Sequence, residues 1–433
     1  MKAKPYQSRH ENSLWFPYVQ MGKIELPGQV VSASGSRFTL EDGSELIDAI
    51  SSWWCVIHGY NHPELNQAAH DQIDTFSHIM MGGLSHPFSK ELADRLVDLS
   101  PEGLNHVFFA DSGSVGVEIA LKMALQYWHN LKIPGRTKFA CLKNGYHGDT
   151  FGCMSVGEPD DAMQKAFPEL LIPAIFVRPP RLGSEPYSLQ AAINELQFMF
   201  ENHHRELAAF ICEPMMQGYG GFNVYPAEYL QEIRKLCDKY NVLLILDEVA
   251  TGLGRTGKMF ASEHADISPD INIVSKALTA GYLGMSATLA STKVFNAFVS
   301  DSNDDVFMHG PTFMGNALAC RIALASLELI EKQGLQDACQ IENWLNQNLQ
   351  EIKVDEDPKH PQHGIIRKTI FGACAVIEVD NASRLEGLAL WARNRGVWLR
   401  PIGPYLYTMP AYNMSYEDLT QVTDAMIDWF KRK

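Results

Sequence analysis

Leu243-Leu244-Ile245-Leu246-Asp247-Glu248 and, a little downstream, Ile271-Asn272-Ile273-Val274-Ser275-Lys276-Ala277-Leu278-Thr279 decide the fold and the chemistry together. Each is a short apolar run of buried-strand type that ends in an ionisable residue, a carboxylate in the first and an amine in the second. A lysine at the end of a buried strand loses hydration, which favours its neutral, nucleophilic form. Taken singly, Lys276 also reads as a solvated strand end and Asp247 as a helix cap. Read with the motifs below, the pair gains a shared purpose.

Outward from these strands the chain alternates. Strand patterns at 107–110, 138–142, 209–212, 242–246 and 271–274 are separated by helical periodicity at 115–128, 189–200 and 226–240. Such alternation implies an α/β fold with a mostly parallel sheet covered on both faces. A long helical stretch at 317–333 leads into a section with its own helix and strands, read as a smaller α+β domain joined by the N-terminal segment. The expected division is 1–60 as an N-terminal segment contributing to the small domain and the pocket, 61–320 as the large domain, and 321–433 as the small one.

Composition narrows the function. The chain has 433 residues, 46% hydrophobic and 20% charged, which suits a well-packed protein rather than a disordered one. A formal charge of -15 argues against a nucleic-acid partner, which requires a basic surface. The eight cysteines show no C-x-x-C pairing and no metal site is expected, so a reduced, cytoplasmic setting fits. No apolar run reaches the roughly 20 residues of a membrane span, and the first twenty residues lack a signal-peptide core.

Three motifs carry chemistry. Asp111-Ser112-Gly113-Ser114 lies between a strand and a helix start, where backbone N–H groups converge into a phosphate cradle; alone, it reads equally as an ordinary helix cap. Asn144-Gly145-Tyr146-His147-Gly148-Asp149 follows the strand at 138–142 and puts an aromatic ring and a histidine at the edge where open α/β sheets bind ligands. Gly252-Leu253-Gly254-Arg255-Thr256-Gly257-Lys258 satisfies G-x-G-x-x-G, but Met259 stands where a phosphate loop needs Ser or Thr and no clear helix follows. That loop is read instead as bringing Arg255 toward an anionic substrate. A buried lysine, a carboxylate that can hold a ring nitrogen, a phosphate cradle and a stacking aromatic are together what pyridoxal 5'-phosphate requires.

With Ser51-Ser52-Trp53-Trp54, His58-Gly59-Tyr60-Asn61-His62-Pro63 and His309-Gly310-Pro311-Thr312-Phe313-Met314-Gly315-Asn316 added, the chain resembles class III aminotransferases of the fold-type I pyridoxal phosphate enzymes over nearly its full length. Within them it is most similar to the branch that aminates 8-amino-7-oxononanoate in biotin biosynthesis, because the Ser-Ser-Trp-Trp and Gly-Pro-Thr-Phe-Met-Gly-Asn stretches are particular to that branch. The resemblance implies that Lys276 bonds to the cofactor and shuttles a proton, and that Asp247 pairs with the pyridine nitrogen. It implies that Gly113 and Ser114 bind the phosphate, and that Tyr146 stacks on the ring. Pro311 and Thr312 would bind the cofactor, with Thr312 completing the phosphate site from a neighbouring subunit and making the active unit a homodimer. Tyr18, Trp53, Trp54, Tyr146, Asp149, Arg255, Gly310 and Arg400 would form the substrate pocket, with Arg400 taking a carboxylate and Tyr18 and Asp149 recognising the amine donor. Tyr18 is also carried over as a catalytic residue.

The implied reaction is ping-pong, with S-adenosylmethionine giving its amino group and 8-amino-7-oxononanoate accepting it. Alternatives are another class III ω-aminotransferase, the same acceptor with lysine as donor, a nucleotide-dependent enzyme built on the 252–258 loop, and a non-catalytic scaffold. The chain departs from the family at Thr279-Ala280-Gly281-Tyr282, where Thr-Gly-Gly is usual, and at Ala250, where many relatives carry glutamine.

Overall fold

The two decisive runs form neighbouring parallel strands, Leu243–Asp247 and Ile271–Val274, with Ile245 opposite Ile271 and Asp247 opposite Ile273. They belong to a computed structural model that describes residues 13–23, 28–160, 162–183, 186–354 and 364–432. Around them a seven-stranded sheet runs in the order Leu104–Ala110, Ser286–Ser291, Ile271–Val274, Leu243–Asp247, Leu207–Cys212, Lys138–Leu142, Ile175–Val177. All share one direction except Ser286–Ser291, which is antiparallel to both neighbours.

The central strands are buried at every position, as a sheet covered on both sides demands. Because side chains alternate along a strand, odd positions such as Ile211, Ile245 and Ile273 pack with the helix Gly113–Asn130. Even positions such as Phe210, Leu244 and Leu246 pack with the helices Leu189–His203 and Ala227–Tyr240 on the other face.

The Ser286–Ser291 strand was not visible in the sequence pattern, since Ser-Ala-Thr-Leu-Ala-Ser carries little apolar signal. Small residues stand there because the helix above comes close. Thr288 Oγ1 donates to the Gly116 carbonyl at 3.0 Å, and a Cβ on Gly116 would sit 2.8 Å from Ser286 Oγ. The helical stretch expected over 317–333 also differs. It is α-helical over Ala317–Leu329, passes through a π-helical turn Ile330–Gly334 that takes up the poor helix former Gly334, and continues as Leu335–Asn348.

Two smaller sheets flank the large one. Val30–Ser34, Arg37–Leu40 and Glu45–Asp48 are joined by Val397–Trp398, which runs parallel to Glu45–Asp48 with Trp398 opposite Asp48. Ile365–Ile370, Ala375–Val379 and Tyr405–Thr408 form an antiparallel trio. Residues 1–12 of the expected N-terminal segment lie outside the described residues.

Candidate active site

Five loops leave the same edge of the large sheet and converge there, as the common direction of their strands requires. They follow Leu104–Ala110, Lys138–Leu142, Leu207–Cys212, Leu243–Asp247 and Ile271–Val274. Two adjoining cavities result, and Lys276, Trp54 and Tyr146 line both.

The inner cavity, of about 150 Å³, is walled by Ser112, Gly113 and Ser114 together with His147, Gly148, Glu213, Asp247, Val249 and Ser275. Ser112 caps the helix Gly113–Asn130 by accepting from Val115 N–H at 3.3 Å. The N–H groups of Gly113 and Ser114 lie in the first turn, where no intrahelical acceptor exists, an arrangement suited to an anion. Close approach is built in at Gly148 (φ 124°), where an added Cβ would stand 2.1 Å from Ser114 Oγ.

Asp247, 4% exposed, lies next to Lys276 in this cavity. Its Oδ2 meets His147 Nδ1 at 2.7 Å and its Oδ1 accepts Val249 N–H at 3.0 Å. Burial alone would lower the pKa of His147, but the hydrogen bond and charge of Asp247 outweigh it and the histidine is raised. Lys276 moves the other way. Loss of water pulls its pKa below the usual lysine value, against the opposing charges of Asp247 and Glu213. Its Nζ stands over an indole, 4.9 Å from the centre of the Trp54 ring.

The outer cavity, of about 520 Å³, is bounded by Tyr18, Trp53, Trp54, Tyr146, Asp149, Tyr219 and Arg400. Asp149 accepts from the hydroxyls of both Tyr18 and, at 2.7 Å, Tyr146. Burial and the bond to Asp149 push the Tyr18 hydroxyl up to about 12, so it stays protonated. The guanidinium of Arg400 stands 4.7 Å from the centre of the Trp53 ring. The space thus holds one basic and one acidic side chain among aromatic walls.

One expectation met a different geometry. Arg255 does not line either cavity. Its side chain is 1% exposed, Nη1 donates to the carbonyls of Ala373 (3.0 Å) and Pro410 (2.8 Å), Nη2 approaches the Trp54 carbonyl at 3.4 Å, and the group lies over Tyr412. Its fork donates to backbone carbonyls from distant parts of the chain, in the wall behind Trp54 and away from both cavities. Gly310, Pro311 and Thr312 line neither cavity of their own chain; Gly310 and Thr312 are exposed. Tyr282 turns its hydroxyl to Asn66 Oδ1 at 2.6 Å and lines neither cavity.

Glu213 was overlooked, although Phe210-Ile211-Cys212-Glu213 repeats the signal that revealed Asp247, an apolar strand closed by a carboxylate. Fully enclosed, it accepts Tyr146 N–H at 3.1 Å and Gly218 N–H at 2.7 Å. Burial pushes it up to about 7, with His147 pulling down and Asp247 pushing up.

A family model described as aminotransferase class-III matches residues 18–430. The chain belongs to the class III aminotransferases. The adenosylmethionine-8-amino-7-oxononanoate aminotransferase of Corynebacterium glutamicum is 40% identical to this class III aminotransferase over 418 residues, covering 96% of both chains. Among solved structures, the aminotransferase of the same name from Methanocaldococcus jannaschii has a TM-score of 0.89 at 31% identity and covers 97% of each chain. An amine transaminase from an uncultivated Pseudomonas species, in its pyridoxal-phosphate-bound form, has a TM-score of 0.90 at 30% identity, covering 98% of this chain and 99% of its own. The class is pyridoxal-phosphate-dependent, and the inner cavity fits that group by its donor set: helix N–H groups for a phosphate, a fixed carboxylate for a ring nitrogen, and an amine of lowered basicity.

Proposed function

We propose that this aminotransferase moves the α-amino group of S-adenosylmethionine to 8-amino-7-oxononanoate, yielding 7,8-diaminononanoate for biotin synthesis. The observation that carries the reading is the outer cavity, where Arg400 and the Asp149 carboxylate line one aromatic-walled space. A long aliphatic keto acid sets its carboxylate on the Arg400 fork. A cationic donor sets its charge near Asp149 and against the indole and phenol faces, which attract cations. The same walls offer apolar surface to the chain of the acceptor.

Bound pyridoxal phosphate supplies an electron sink that stabilises negative charge at the substrate α-carbon. The residues do the rest. Lys276 Nζ, whose pKa burial lowers, would carry the proton from the donor's α-carbon to C4′ of the cofactor in one half of the cycle and from C4′ to the acceptor carbon in the other. Asp247 holds a proton at the pyridine nitrogen, and His147 fixes the carboxylate that does so. Gly113 and Ser114 hold the phosphate with backbone N–H groups, and Tyr146 packs on the ring. Tyr18 lends its hydroxyl to orient the donor through Asp149.

We read the active unit as a homodimer in which Pro311 and Thr312 of one protomer complete the phosphate site of its partner and Gly310 borders the partner's substrate pocket. Supporting this, the 308–313 loop and its neighbours carry large exposed apolar side chains, Met80, Leu84, Met308 and Phe313. We also read residues 1–60 and 321–433 as one small unit, because Glu45–Asp48 and Val397–Trp398 share a sheet. Among the described residues no helix is long and apolar enough to cross a membrane, and we take the setting as cytoplasmic.

The test is the visible spectrum of the cofactor-loaded protein. The yellow band is expected to bleach with S-adenosylmethionine and return with 8-amino-7-oxononanoate. A band indifferent to adenosylmethionine but bleached by lysine would remove the donor and keep the acceptor.

A further inference from the structure

Ser51, Ser52, Trp53 and Trp54 all have positive φ, at 46°, 49°, 60° and 77°. None is glycine. Trp54 N–H donates to the Ile50 carbonyl at 2.8 Å and Cys55 N–H to that of Ser51 at 2.9 Å, so the four residues make one turn of left-handed helix. L-residues resist this conformation because Cβ crowds the following carbonyl oxygen, and they enter it singly rather than in runs. Such a turn persists only where its surroundings over-determine it.

The constraint is the carboxylate of Asp48, 3% exposed and outside both cavities. Its Oδ1 accepts Ile50 N–H at 3.0 Å, and its Oδ2 accepts Ser52 N–H at 2.7 Å and the Tyr60 hydroxyl at 2.6 Å. Ser51 Oγ ties the far side to the Met409 carbonyl at 2.7 Å. Burial raises the pKa of Asp48 and the hydrogen bonds from Tyr60, Ile50 and Ser52 pull it back; in its ionised form the carboxylate only accepts, with room for all three donors, whereas an amide would turn an N–H₂ toward one of them.

The turn decides what walls the site. It delivers Trp53 to the edge of Tyr18 (6.0 Å between ring centres) and beneath Arg400, while Trp54 covers Lys276 and packs on Phe222 and Tyr407. Asp48 also lies opposite Trp398, two residues before Arg400, so one strand pair sets both the turn and the arginine. We propose that Asp48, steadied by Tyr60, is a positioning residue that holds a left-handed turn and thereby sets substrate specificity through Trp53 and Trp54. The specificity clause rests on the reading of the outer cavity given above; the turn itself does not.

The test uses the full-length holoenzyme labelled with 5-fluorotryptophan, its Trp53 and Trp54 ¹⁹F resonances assigned by Trp53→Phe and Trp54→Phe. Asp48→Asn is expected to shift or broaden both resonances and leave the other tryptophans in place. Adding Ser52→Gly is expected to restore them, because glycine takes the left-handed conformation without the Cβ clash and Ser52 is exposed. With this, KM for the amine donor should rise about tenfold in Asp48→Asn, with kcat changed less, and fall back in the double variant. Unmoved resonances, or a change that glycine does not reverse, overturn the proposal. Should Asp48→Asn not fold, Tyr60→Phe removes one donor and is expected to move the same two resonances with the same glycine rescue; resonances that stay put overturn the proposal there too. If KM follows the turn for another amine but adenosylmethionine is no substrate, the turn stands and the donor assignment falls.

Discussion

Lys276 and Asp247 were legible as buried strand-end residues because the physics that encloses them is local: an apolar strand buries whatever ends it. We expect Lys276→Ala to lower turnover by about three orders of magnitude, measured as single-turnover amine transfer, since it removes the group proposed to carry the α-carbon proton. Glu213 was equally local and was missed for want of a partner motif. Its raised pKa has a sign that is testable. A carboxyl pushed up from 4.5 to about 7 binds its proton more tightly in the folded chain, so its contribution is present below pH 4.5 and is lost as pH rises toward 7. Replacing it by glutamine should remove up to about 3 kcal/mol of that pH-dependent fall, read as the difference in chemical-denaturation profiles between the two proteins from pH 4.5 to 7. Glu248, also raised to about 7 by burial, keeps its own share of the slope in both.

At the scale of elements, loops matter through how closely they approach. Gly148→Ala brings a methyl group to 2.1 Å from Ser114 Oγ at a backbone angle that disfavours alanine, and so pushes the 144–149 loop off the helix start. We expect the apparent affinity for pyridoxal phosphate to fall at least about tenfold, followed by the cofactor's absorbance on titration. Arg255 belongs to this scale as well. Arg255→Met leaves the Ala373 and Pro410 carbonyls buried without donors, a loss of about 2–4 kcal/mol in unfolding free energy on denaturant titration. The left-handed Ser51–Trp54 turn costs about 1–2 kcal/mol per residue by the same local reasoning, and no propensity in Ser-Ser-Trp-Trp announces it. What stabilises it, the Asp48 carboxylate, lies within four residues but acts through tertiary placement of the strand that carries it.

The whole molecule sets the assembly. Met308 and Phe313, 80% and 58% exposed, are large apolar groups that a soluble monomer seldom displays together with Met80 and Leu84. If the 310–312 loop serves a partner's phosphate site, Phe313→Asp should produce monomers by light scattering and weaken cofactor retention in the same preparation. Dimers with unchanged retention would sever that loop from the site.

By itself the sequence determined the strand-and-helix alternation, the residues that end the central strands, and the helix cap that faces the inner cavity, because burial, periodicity and capping act within a few residues. Only the tertiary structure decided where Arg255 spends its donors, that a small-residue strand inserts antiparallel at Ser286–Ser291, and that Ser51 to Trp54 wind left-handed. Each of those depends on groups brought from far along the chain: the carbonyls of Ala373 and Pro410, the close helix at Gly116, and the Met409 carbonyl with the Val397–Trp398 strand that pairs with the strand carrying Asp48. Such contacts exist only once the chain has closed on itself.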